Sequence, residues 1–138
     1  MSTHYSDIAS ALDANLDALG EVVAWENRHF SPATDGSLHL RQYNLPAATV
    51  LADLGRDGQD YTTGIYQIDV VGIAGKGKAA IYTLADQVAD QFKRGTSLTY
   101  NGVVVRVSSV ERTALIIEDK FAFIPLSIEY EAYTAART

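Results

Sequence analysis

Apolar residues recur at helical spacing in two stretches of the chain and alternate with polar ones through most of the rest. Between Ser6 and Leu19, the residues Ile8, Leu12, Leu16 and Leu19 fall on one helical face, with Asp13 and Asp17 turned away. Ser6 suits the cap, Asp7 the positive end of the helix, and Gly20 the stop. A short apolar strand, EVVAWEN, follows, and then a turn region, RHFSPATDGS, punctuated by Pro32 and Asp35-Gly36. In LHLRQYNL, the residues Leu38, Leu40 and Gln42 alternate with His39, Arg41 and Tyr43, which predicts a strand with one buried and one wetter face. Residues 44–60 hold neither period and read as a long connection, of the kind that is commonly functional or partner-bound. Alternation resumes over 61–71, with Tyr66, Ile68 and Val70 on one face and Ile65, Gln67 and Asp69 on the other.

A second helix carries Ile81, Leu84, Ala85, Val88 and Phe92 as its stripe, opposite Gln87, Asp90 and Gln91. Lys93 and Arg94 suit its negative end, and Gly95 ends it. Asn101-Gly102 between alternating runs predicts a tight hairpin. Two last strands, TALIIED and FAFIPLSIEYEAY, are joined around Asp119-Lys120. The order predicts one α+β domain, a largely antiparallel sheet packed against two helices on one side.

Composition narrows the function classes. A chain of 138 residues with 47% hydrophobic content is one domain's worth, long enough to bury a core. It has no cysteine, which removes disulfides, thiolate metal sites and thiol catalysis. Its net charge of −6 and scattered basic residues disfavour specific DNA binding. The first residues, MSTHYSDIAS, predict no secretion signal, and no apolar stretch is long enough to predict a membrane span.

One motif suggests chemistry. Gly72 to Ala79 satisfies the phosphate-loop pattern GxxxxGK except at its last position, where Ala79 stands in place of the magnesium-binding hydroxyl. Hairpin-linked strands downstream do not supply the parallel sheet such a loop belongs to, and no apolar strand ending in Asp follows to hold a metal. The stretch therefore reads as a turn with lysines facing water. Histidines 4, 29 and 39 lack metal-ligand spacing and read as surface residues. Glu118/Asp119 fall in a turn, and Glu129/Glu131 on one solvated strand face. No catalytic residue, cofactor or metal is expected.

The last strand resists a simple reading. Ala122, Ile124, Leu126, Ile128 and Tyr130 make a core face, while Phe121 and Phe123, beside Pro125, point the other way. Two apolar faces call for cover on both sides, by a helix layer or by a neighbouring subunit. Eight tyrosines favour interfaces as well.

The stretches AWEN (24–27), GIYQIDV (64–70), GKGKAAIYTLADQVADQFKRGTSL (75–98), VVVRV (103–107) and IPLSIEYEAYT (124–134) together resemble the tail terminator family of siphophages and prophages. They cover most of the chain in the family's order, with 44–60 matching least. The resemblance implies a structural, non-catalytic virion protein assembled in the bacterial cytoplasm. Such a protein forms a hexameric ring on the head-proximal end of the tail tube. It stops tube polymerisation and presents the surface that joins the head. Its implied partners are further copies of itself, the tail tube protein and a head-completion or connector protein, with DNA passing through unheld. A head-completion role is the alternative. A closed ring needs two different sticky surfaces per subunit. The candidates are Phe121, Phe123 and Pro125 on one side, and Leu45, Val50, Leu51 and Leu54 in the long segment on the other.

Overall fold

The computed structural model describes residues 3–32, 36–51 and 59–135. Its elements are α1 (His4–Asp17), β1 (Val23–Ala24), β2 (His39–Leu51), β3 (Gln59–Ile73), α2 (Ala79–Gln91), β4 (Ser97–Tyr100), β5 (Val103–Arg112), β6 (Ile116–Glu118) and β7 (Phe121–Ala135). The strands form one sheet in the order β1-β2-β3-β7-β5-β4, with β6 also paired to β7. Every pairing is antiparallel except the short β1–β2 contact. The α+β class and the two-helix layer are as the periodicities predict.

Both helices lie on one face of the sheet. Ile8, Leu12 and Leu16 of α1 and Ile81, Leu84 and Val88 of α2 enter the same core as Tyr66, Ile68 and Val70 of β3 and Ile124, Leu126 and Ile128 of β7. Tyr66 joins the layers: its ring stacks at 5.7 Å on Phe92, and its hydroxyl donates to Asp13 Oδ1 at 2.5 Å. The helices are tied to each other as well, with Asn15 Nδ2 donating to the Gln91 carbonyl and Gln91 Nε2 donating to the Asn15 carbonyl. The hairpin turn at Asn101-Gly102 has φ of 50° and 81°, the left-handed pair that a tight two-residue turn requires.

Several expectations are corrected. The first helix starts at His4 rather than after Ser6, because the Thr3 carbonyl accepts from the Asp7 N–H at 2.8 Å and the Thr3 hydroxyl binds the Asp7 carboxylate. Asp13 does not face away but reaches β3 through Tyr66, and Gln91 is half-buried against α1. The strand expected over 21–27 shrinks to two residues. The long connection expected over 44–60 is mostly sheet: β2 runs to Leu51 and β3 begins at Gln59. Backbone groups along β3 need partners whatever side chains stand opposite. The ladder therefore continues past Pro46, which has no N–H, with a register shift between Pro46 and Thr49.

Candidate assembly surface

The sheet face away from the helices has two unlike halves. Around the start of β7 it is closed by the chain itself. Phe123 is only 9% exposed, with the Arg41 guanidinium 4.5 Å above its ring. Arg41 in turn pairs with Asp69 at 3.2 Å, and Gln67 Nε2 donates to the same carboxylate at 3.0 Å, so Asp69 is satisfied although only 4% exposed. Register explains the arrangement, since Arg41, Asp69 and Pro125 stand opposite one another on adjacent strands. Phe121 is half-covered and meets His39 edge-on at 6.2 Å, and His39 leans on Phe30 at 4.8 Å.

His39 is thus buried, against the expectation of a surface histidine. Periodicity put it on the wetter strand face, but Phe30, from the preceding loop, and Phe121 cover it there. Burial first, and the Arg41 charge second, lower its pKa from 6.5. A lowered histidine pKa means that the unfolded chain takes up the proton first. Stability is then complete above pH 6.5 and is lost as pH falls below it. Acidification from about pH 7.5 to 5.5 should lower the melting temperature, and the His39→Gln variant should show a smaller drop. Identical slopes would contradict the burial. Asp13, whose pKa burial raises, acts with the opposite sign at lower pH, and comparing the two proteins cancels it.

The other half of this face is uncovered. Leu45 and Tyr133 are each 48% exposed, Val104 is exposed beside Tyr133, and Ile65 is half-exposed between Leu45 and Glu129. Tyr61 and Tyr133 pair at 5.1 Å, and the Tyr61 hydroxyl donates to Glu131 at 2.9 Å, which raises its pKa. Glu129 accepts from Ser109 at 3.1 Å. A depression of about 410 Å³ lies among Tyr61, Ile65, Glu129 and Glu131. Of the residues expected at a subunit boundary, Leu45 is on this open half, while Phe121, Phe123 and Pro125 are on the self-covered one. Val50 and Leu51 lie on the β2 backbone that continues the open half, and Leu54 lies outside the described residues.

A second concavity, about 540 Å³, opens on the helix side of β2, between α1 and the segment Trp25–Arg28. Asp13, Asp17 and Glu26 line it with Arg28, Trp25 and Gln42. Glu26 is held at the β2 edge by the Asn44 backbone and side-chain N–H groups, both at 3.3 Å. Sequence reasoning missed this cleft, because α1, the Trp25 segment and β2 meet only in the folded chain.

The glycine-rich stretch joins an antiparallel strand to α2. Gly75 and Gly77, at φ of 86° and 82°, turn the chain there, and Lys76 and Lys78 are exposed. Among the described residues no group of three or more His, Asp or Glu side chains is placed to hold a metal, and no helix is long and apolar enough to cross a membrane.

These features define a class first: an α+β module with one sheet face packed under helices and the other partly open for contact. The chain belongs to the phage tail terminator protein family, whose model matches residues 7–130. It is also similar to a solved structure at 27% identity, covering 91% of this chain and 92% of that one, with a TM-score of 0.73. Among the curated proteins searched, none matches it. Membership places it with the structural proteins of the virion tail, which act without catalysis, and implies contact with the tail tube.

Proposed function

We propose that this protein closes the head-proximal end of the tail tube as a hexameric ring, halting tube polymerisation and presenting the surface on which the head docks. The observation that carries this reading is family membership over residues 7–130. The open sheet half supports it, since Leu45, Val104 and Tyr133 expose apolar surface there that a neighbouring subunit or the tube protein can cover. The half-covered Phe121 and Pro125, at the other end of the face, offer a second and different surface. Two unlike surfaces are what a head-to-tail ring uses. A net charge of −6 suits a bore through which DNA slides without being held.

The test is made in the phage. Removing the gene should leave tails that overrun their length or fail to join heads, seen by electron microscopy, and a plasmid copy should restore normal particles. Tails of normal length attached to filled heads in the deletion would reject the terminator role.

A further inference from the structure

Two short strands leave hydrogen-bonding edges on opposite sides of the same end of the sheet. Among the described residues, β6 pairs only with β7, and β1 only with β2. The ladder fixes which backbone groups point outward. The Thr113 N–H donates to the Pro125 carbonyl at 3.2 Å, and on the other side of β7 the Ala74 N–H donates to the Lys120 carbonyl at 2.9 Å. Backbone groups turn to alternate sides along a strand, so Phe121 and Phe123 turn theirs toward β6, where they stand opposite Glu118 and Ile116. Ile117, between those two, turns its N–H and C=O outward, away from β7. At the other edge the Leu40 N–H donates to the Val22 carbonyl at 2.9 Å. In a parallel ladder that leaves Val23, opposite Leu40, with its own N–H and C=O turned outward.

Side chains mark both edges as contact surfaces. Ile116 is 41% and Ile117 66% exposed, so β6 shows an isoleucine on each of its faces, and Val22 beside β1 is 57% exposed. An edge of this kind is a template for another strand. Three features select the opposite edge of another copy as that strand. Ile117 stands opposite Ala122, and Val23 opposite Leu40, both core residues under the helices. The outward-turned residue of each edge thus carries its side chain on the helix side. Traced through the intervening pairings, β1 runs antiparallel to β6. A copy set alongside in the same orientation therefore brings Val23 against Ile117 as a hydrogen-bonded antiparallel pair, with Ala24 against Ile116 and both helix layers on one side. Such a contact leaves a free edge at each end, so copies add head to tail until rotation closes them. We propose, resting on the ring reading above, that β6 of each subunit pairs with β1 of the next, so that one sheet runs around the ring.

The chain has no cysteine, so introduced pairs report this contact without background. Plasmid copies carrying Ile117→Cys, Val23→Cys or both are supplied to the gene deletion, and the tails are purified, oxidised and run on non-reducing gels. Opposed residues of a hydrogen-bonded antiparallel pair lie about 5.5 Å apart at Cα, within disulfide reach. The double variant should give a ladder of cross-linked species ending at the closed ring, and each single variant only monomer. Ile116→Cys with Ala24→Cys should do the same on the other face of the sheet. Ile117→Pro supplies a second measurement, because it deletes an N–H that the subunit's own ladder leaves unused. The purified variant should keep the wild-type melting temperature, while the yield of head-joined tails falls about tenfold or more. A lowered melting temperature would place that N–H in use within the subunit and overturn the free edge. Cross-linked dimers from Ile117→Cys alone mean that β6 meets itself, which overturns the head-to-tail pairing. Normal tails that give no ladder with either cysteine pair, or full complementation by Ile117→Pro, overturn the edge contact and leave the terminator role standing. Normal particles in the deletion itself overturn the ring reading and the edge pairing together.

Discussion

Replacing Phe123 with Ala should destabilise the isolated subunit by about 3–5 kcal/mol, the range for truncating a buried aromatic side chain. The ring is 9% exposed on the face opposite the helices, where it supports the Arg41 guanidinium at 4.5 Å. Its loss removes apolar burial and leaves a cavity. It also takes away the surface that keeps Arg41 over Asp69, a residue only 4% exposed whose pairing weakens as water enters. Urea denaturation should show a lower midpoint with an unchanged slope. Phe121→Ala should cost less, since that ring is already half-exposed. A Phe123→Ala subunit that keeps its midpoint but no longer associates would assign this ring to a subunit boundary instead of the subunit's own packing.

Leu126→Ala should cost about 2–5 kcal/mol for a different reason. Leu126 stands three residues along the same strand but on the helix side, 2% exposed, opposite Ile68 of β3. It sits in the middle of β7 within the shared core, where the sheet backbone on one side and the helix layer on the other limit collapse into the space left behind. An unchanged midpoint would contradict the layer assignment. Because Phe123 and Leu126 belong to opposite faces, the double variant should lose close to the sum of the two effects, within about 0.5 kcal/mol. A larger deviation would mean that the two faces communicate through β7.

The phosphate-loop spelling was legible as a turn because Ala79 lacks the hydroxyl and the neighbouring strands are hairpin-linked, and the φ values of Gly75 and Gly77 agree with a turn. Where its lysines rest was not legible: Lys78 Nζ lies 5.4 Å from the centroid of the Tyr82 ring, one turn along α2. The interface residues proposed from the sequence met a similar limit. The pattern put Phe121 and Phe123 on the second face of β7, as observed, but it offered a helix or a neighbour as cover. The cover on Phe123 is Arg41, and His39 meets Phe121 edge-on, both from β2.

The sequence by itself determined the elements whose signals are local. The stripes of α1 and α2, the alternation along β3, β5 and β7, and the Asn101-Gly102 turn all follow from side-chain spacing on a regular backbone, which a few adjacent residues suffice to reveal. Tertiary structure decided what depends on partners far away in the chain. Tyr66 meets Asp13 across 53 positions, and only the β2–β3 register sets Arg41 against Asp69. Residues 44–51 became strand without an alternating pattern, because an unpaired β3 edge recruits backbone hydrogen bonds irrespective of side-chain type. His39 was drawn inside by Phe30, and the acidic cleft formed where α1, the Trp25 segment and β2 converge. Local periodicity encodes which face of an element is apolar; which residues then meet across those faces is set by register and packing, and these exist only once the chain is folded.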